Sequence, residues 1–338
     1  MIKIYESIKN RVFIPILKTT DFGLGILYGL LSNEFFLEYR AVLEGKLNYF
    51  HSNDKHYLLR RNIHRIEKGI IMKPRKEWFA EDYIFQTVEA FQTTYSRTDK
   101  NDRLIKWSHD VLENYFEIVI HNTKITKAFN LFKSIEYTES EDDISKFRPY
   151  NVTEQCNISY SDFLNLSIKR RSVRWYEDKI VPTELIKKAL KIALLSPSAC
   201  NRQPFKYYIF NDPELAKKIG AIPMGAKGLS HNYPAVAVVV GQLNAYFSER
   251  DRHVIYIDGS LSAMSFIYAL ETLGLSSCII NWPDDISAEK KLRKILNLKP
   301  YERPILFISF GYPDLDSLVP YSCKKTISET TIFNLNEE

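Results

Sequence analysis

The chain has 338 residues, 45% apolar, 13% aromatic and 26% charged, with 12 Gly and 14 Pro. That composition excludes collagen-like and low-complexity architectures and supplies a sizeable core, and the length suits two domains, or one domain with a long appendage. A net charge of +5 from 46 basic and 41 acidic residues is too mild for a dedicated nucleic-acid binder, so no nucleic-acid partner is expected.

The N-terminus, MIKIYESIKNRVFIPILK, mixes charged and apolar residues and lacks a signal-peptide core. Phe22 to Leu31, FGLGILYGLL, is apolar but only ten residues long, where a spanning helix needs about 20. It reads as a buried helix or a hydrophobic surface turn, with peripheral membrane contact as the alternative, and no membrane span is expected. Arg60 to Lys76 carries seven basic residues against one acid, Glu67. His64 and Glu67 are three apart and therefore neighbours on a helix, but one His and one Glu make half a metal site at best. The segment reads as a solvated helix face, with a contact for an anionic ligand and, last, for nucleic acid as the alternatives. Glu81 to Tyr95 and Arg103 to Ile120 show helical periodicity, and no alternating strand pattern occurs before residue 150. An acidic, apolar-poor stretch at about 136–158 reads as a linker. The expected organisation is a mostly helical domain over 1–155 and a second domain over 159–338.

The second half alternates helix and strand. Helices are predicted at Ser161–Ile168, Thr183–Leu195, Pro213–Ile219 behind an Asp212 cap, Asp251–Leu273 and Ser287–Leu296. Strands are predicted at Lys206–Phe210, Ala235–Gly241, Ser277–Asn281 and Ile305–Phe310. The run AVAVVVG at Ala235–Gly241 has the composition of a central strand buried on both faces. From Ile257 to Leu273 the long helix is apolar or small nearly all round, which calls for burial on every side and suggests a second subunit. Cys156, Cys200, Cys278 and Cys323 are far apart with no CxxC pair, so neither a zinc site nor a disulfide scaffold is expected, and a reducing cytoplasm is the natural location.

Two segments carry chemistry. KRRSVRWY at 169–176 places Arg170, Arg171, Ser172 and Arg174 within five residues. Arginine forks supply the charge and donors that a phosphate monoester needs, although a solvated basic turn has the same look. LSPSACNRQPF at 195–205 follows an amphipathic helix and combines small residues with the amides Asn201 and Gln203. Small side chains admit a flat ligand close to backbone, and amides can read its edge; an ordinary helix-to-strand loop is the alternative.

In combination, RRSVRWY, some 20 residues of mostly helical sequence, SPSACNRQPF, AVAVVVG, the long helix with CIINW after it, and ILFISFGYP resemble the nitroreductase family of FMN-dependent oxidoreductases over about residues 160–326. The resemblance implies an α+β fold, a mainly antiparallel sheet wrapped by helices, as an intertwined homodimer with FMN at the interface. It implies phosphate and ribityl contacts from Arg170, Arg171 and Ser172, and a contact of Arg174 with the pyrimidine edge of the ring. Pro197, Ser198, Ala199, Asn201 and Gln203 would form the loop contributed by the other subunit. Ile279, Ile280 and Asn281 would lie near flavin N5, and Lys324 or Lys325 would complete the phosphate site. The implied activity is hydride transfer from NADH or NADPH through FMN to an electron-poor small-molecule substrate. An oxygen-using or flavin-consuming enzyme on the same fold, and a binding protein whose N-terminal domain carries the role, are the alternatives. CIINWPDD has no acid before Asp284, a departure from many members. No catalytic residue is assigned and no metal is expected. The N-terminal domain is expected to lie over or beside the flavin pocket.

Overall fold

The computed structural model describes residues 25, 34–99, 102–138, 145–152 and 156–334. Apart from Gly25, the apolar segment Phe22–Leu31 lies outside the described residues, as do parts of the acidic stretch.

Among the described residues, the first half contains five helices: α1 (Glu34–His51), α2 (His56–Ile70), α3 (Ile84–Tyr95), α4 (Arg103–Ile118) and α5 (Thr123–Lys133). Helices α2 to α5 bury one stripe each into a common core that includes Leu59, Ile63, Val88, Phe91, Leu112, Tyr115 and Ile125. Their starts follow from short polar caps: Asp102 accepts from Leu104 N–H and Asn122 from Ile125 N–H. Helix α1 stands outside this bundle. Its Ala41 packs with Leu243, Ala245, Tyr246 and Ile255 from the second half of the chain, and Tyr57 joins the same cluster. Lys46 pairs with Glu249 at 2.6 Å and Asn244 donates to Asn48 at 3.0 Å.

Ser145–Pro149, the described part of the acidic stretch nearest α4, docks on that helix. Phe147 N–H donates to the Asp110 carboxylate at 2.8 Å, and Lys106 and Lys146 approach the same carboxylate at 3.5 and 3.6 Å. His109, Asp110 and Glu113 bring their ligand-capable atoms within 4.8 Å of one another. The two lysines already balance the charge of that cluster, so it reads as a clasp between helix and connecting segment.

The second half begins with α6 (Tyr160–Lys169), started by a Ser159/Asp162 capping box, and α7 (Thr183–Ala193). Strands β1 (Phe205–Phe210), β2 (Ala235–Gln242), β3 (Ser276–Asn281) and β4 (Glu302–Gly311) form an antiparallel sheet in the order β1-β2-β4-β3. β2 is buried at every residue, as its unbroken apolar run predicted. One face of the sheet packs on α7 and on α9 (Val254–Thr272) through Ala189, Ala263, Phe266 and Ile308. The other packs on α8 (Pro213–Gly220) and α10 (Ile286–Leu296) through Ala216, Ile219, Leu292 and Phe307. Gly274 stops α9 in the left-handed region, φ +76°. The architecture is therefore α+β, a helical N-terminal region followed by an antiparallel sheet wrapped by helices.

The sequence calls for α9 to be buried all round. Within one chain it is not: Ile257, Ser260 and Leu261 form an open stripe. Phe163, Leu164 and Ile168 on α6, a helix with no buried residue, and Leu194 and Leu195 after α7 add to this uncovered apolar surface. The arm after β4 exposes Leu315, Leu318, Tyr321, Ile327 and Phe333.

Two outcomes follow. A Cβ at Gly45 would sit 2.7 Å from the backbone carbonyl carbon of Leu243, which cannot yield as a side-chain tip can. Gly45→Ala should cost ~1–3 kcal/mol by overpacking and expose α1 to limited proteolysis before the sheet domain melts. Asp110 is fully buried; burial opposes its ionisation, but His109 at 3.6 Å, the Phe147 N–H bond and the two lysines outweigh that and hold its pKa at about 2 against 3.8. Because the folded value is the lower one, its stabilisation is complete above pH 3.8 and lost as pH falls toward 2, on the order of 2 kcal/mol. Acid titration of thermal stability should show that loss in the wild type and a flatter profile in Asp110→Asn.

Candidate active site

The first group of candidate residues lies where the chain passes from α6 onto the sheet. Arg170 is the residue after α6, and its N–H closes the last turn on Leu166. Val173 N–H donates to Ser277 C=O at 3.1 Å, so Ser172 and Val173 lie along the outer edge of β3. Tyr176 holds this segment down: its buried hydroxyl donates to Val173 C=O at 2.7 Å and meets the Ser309 hydroxyl at 2.9 Å. Arg174 donates to Ser172 C=O at 3.1 Å, and Arg171 to Tyr321 C=O at 3.1 Å. The latter contact brings the arm carrying Lys324 and Lys325 past Arg171. Arg170 Nε is buried without an acceptor. Ile280 is buried under the sheet, whereas Ile279 and Asn281 face outward on β3.

The second group is the turn after α7. Ala199 N–H donates to the Asp258 carboxylate at 3.0 Å, Gln203 N–H to the Ser198 hydroxyl at 3.0 Å, and the Gln203 amide to Asn201 Oδ1 at 3.2 Å. Ser196 donates to Ser265 on α9 at 2.7 Å. Cys200, Asn201 and Gln203 have φ of +53°, +50° and +52°. Three non-glycine residues in the left-handed region within four positions mark a backbone held in shape by its surroundings, the kind of strain that clusters at ligand sites.

One chain does not bring the two groups together. The turn is tied to Asp258 near the start of α9, while Arg170 lies within electrostatic reach of Glu271 near its end. Thirteen residues of helix separate those positions by about 20 Å.

Three groups matter here that sequence reasoning did not single out. Asp258 is buried in an otherwise apolar helix face and pins the turn. Burial pushes its carboxyl up, partly offset by the Ala199 N–H. Glu271 is likewise pushed up by burial, with Ser276, Lys169 and Arg170 acting in the opposite sense. Cys278 lies behind Arg174, and burial raises its thiol, which makes it a poor nucleophile. A carboxylate inside an apolar helix was the available signal for the first two.

The model of the nitroreductase family matches residues 168–227 and 221–312, which span both groups and the whole sheet. Iodotyrosine deiodinase 1 of Mus musculus is 24% identical over 229 residues, 58% of this chain and 79% of its own. A Methanothermobacter thermautotrophicus protein assigned by name to the NADH dehydrogenase/NAD(P)H nitroreductase class is 28% identical over 160 residues, 46% of this chain and 80% of its own. Among solved structures, the FMN-dependent nitroreductase of Clostridium difficile R20291 is 25% identical, covers 51% of this chain and 99% of its own, and has a TM-score of 0.44. This likeness falls on the second half of the chain and is to enzymes of the oxidoreductase class. The likeness to the nitroreductase family rests on residues 168–312. Among the described residues no helix is long and apolar enough to cross a membrane.

Asp258→Ala removes the acceptor of a buried N–H and should cost ~1–3 kcal/mol. Its signature is early proteolytic cleavage within 197–203, read by mass spectrometry, with the four-stranded sheet still folded.

Proposed function

We propose that the protein is an FMN-dependent oxidoreductase that works as a homodimer, takes electrons from NADH or NADPH and delivers them to an electron-poor small molecule. The observation that carries this reading is the buried, acceptor-less Nε of Arg170 beside Arg171 and Ser172 at the edge of β3. A buried guanidinium donor with no partner costs free energy unless an anion meets it, and a flavin phosphate is such an anion.

The residues present fit the cofactor. Arg170, Arg171 and Ser172 would hold the phosphate end, with Lys324 or Lys325 from the passing arm. Arg174, tethered to Ser172 C=O, would place a cation at the pyrimidine edge and favour negative charge there. Ile279, Ile280 and Asn281 offer the outer backbone edge of β3. Bound FMN supplies the hydride and electron chemistry. The chain's part is to position, to balance charge and to exclude water.

The turn bearing Pro197, Ser198, Ala199, Asn201 and Gln203 is anchored at Asp258, about 20 Å along α9 from the Glu271 that faces Arg170, so in this reading it reaches the flavin from a second subunit. The open stripe of α9, the bare face of α6 and the exposed apolar arm supply the surface that such a subunit would cover. A helical region over 1–155 and an oxidoreductase domain over 159–338 remain the working division, with α1 and α2 joined to the second domain through the Leu243–Tyr246 cluster. The mouse deiodinase relative adds reductive removal of halogen to the acceptor chemistries worth assaying.

Purified protein should be yellow, absorb near ~450 nm and bleach anaerobically with NADH or NADPH. Arg170→Ala should weaken FMN binding by ~1.5–3 kcal/mol and leave riboflavin, which lacks the phosphate, nearly unaffected. Equal losses for both flavins would place Arg170 away from the phosphate, and a colourless protein that FMN cannot reconstitute would overturn the reading.

A further inference from the structure

Helix α2 packs against the turn Ala199–Asn201, so the N-terminal region touches the loop just assigned to the flavin site. On this contact the chain gathers three arginines. Arg61 lies over the Phe247 ring at 5.0 Å, Arg65 over Tyr83 at 3.7 Å and Arg202 over Tyr246 at 5.0 Å. Arg61 and Arg65 both aim Nη1 at one acceptor, Asn62 Oδ1, at 3.3 and 3.5 Å. Among the described residues none of the three forms an ion pair. Asp258, the carboxylate within electrostatic reach of Arg202, accepts from Ala199 N–H instead. Arg202 is 5% exposed, and its buried Nε has no acceptor.

The cations act on one another. Burial and then Arg65 depress Arg61, with Arg202 acting in the same sense. Burial, Lys68 and Arg202 depress His64. Aromatic faces hold guanidinium groups in place but leave their in-plane donors free. A cavity of about 430 Å³ opens beside Arg61, lined also by Tyr49, Lys55, Gln86, Phe247 and one carboxylate, Glu89, with volume for a small phosphorylated molecule.

We propose that Arg61, Arg65 and Arg202, at the contact of α2 with the 199–203 turn, form a binding site for a phosphoester anion carried by a small molecule that the oxidoreductase domain uses. Phosphate chemistry is favoured over a lone carboxylate because Arg61 and Arg65 share one acceptor and Arg202 lies within their electrostatic reach, and a phosphate or diphosphate has the charge and acceptor count to engage such a group. Within one chain the site is separate from the Arg170 group, which lies toward the other end of α9. The link to a reductase substrate rests on the function proposed above; the anion site does not.

Isothermal titration of the full-length protein, as purified and FMN-loaded where it takes FMN, with inorganic pyrophosphate, phosphate and succinate in low salt tests the site. Pyrophosphate should bind most tightly, and Arg61→Gln/Arg65→Gln should weaken it by about tenfold or more, with FMN content and melting temperature retained. Arg61→Lys/Arg65→Lys, which keeps the charge, should restore part of the affinity and guards against a folding defect. Wild-type binding that is absent, matched by succinate, or unmoved in the Gln variant overturns the proposal. If flavin loading fails but the Gln variant still loses pyrophosphate, the reductase reading falls and the anion site stands. The source of the phosphoester follows from kinetics: a raised KM for NADPH in the Gln variant, at unchanged kcat, identifies the nicotinamide donor. Unchanged donor kinetics with lost pyrophosphate binding identifies the acceptor.

Discussion

Helix α9 sets the distance on which the rest of the structure depends. Asp258 near its start fixes the 196–203 turn through Ala199 N–H, and Glu271 near its end faces Lys169 and Arg170. The helix between them is apolar, packed on the sheet along one side and open along Ile257, Ser260 and Leu261. A rigid spacer of about 20 Å keeps two ligand-suited segments apart within one chain. An antiparallel pairing of α9 with its own copy would set the start of one helix beside the end of the other. The same exposed surface that makes the lone chain unfavourable in water would then bring the segments together.

The N-terminal region is tied to this arrangement at two places. Helix α1 enters through Gly45, whose missing side chain lets the helix lie directly on Leu243. Helix α2 rests on the strained turn and brings Arg61 and Arg65 to Arg202. The region also holds its own core of Leu59, Phe91, Leu112 and Tyr115, and both ties meet the second half of the chain near the candidate site.

Much of the sheet domain was legible in the sequence because its signals are local. AVAVVVG can only be a strand buried on both faces, Asp212 caps α8, and Gly274 ends α9. Long periodic helices such as α3 and α4 were legible within a few residues. Helices α1 and α5 were not singled out: α5 is short, and α1 has a weak apolar stripe and takes much of its packing from residues some 200 positions away. In the candidate site, RRSVRWY and SPSACNRQPF announced donors and small residues. Pairwise geometry was hidden: the orphaned Arg170 Nε, the positive φ values at Cys200, Asn201 and Gln203, and the grip of Asp258 all depend on long-range contacts.

The central claim is that one flavin site needs Arg170 of one chain and Asn201 of another. Mixed dimers of an Arg170→Ala chain and an Asn201→Ala chain, carrying different affinity tags and purified through both, test it directly by FMN content. The account predicts poor FMN retention in each parent homodimer and up to one well-bound FMN per mixed dimer, because one of its two sites is built from wild-type residues only. FMN retention in the mixed dimer no better than in either parent, or a monomer that holds FMN, would contradict it.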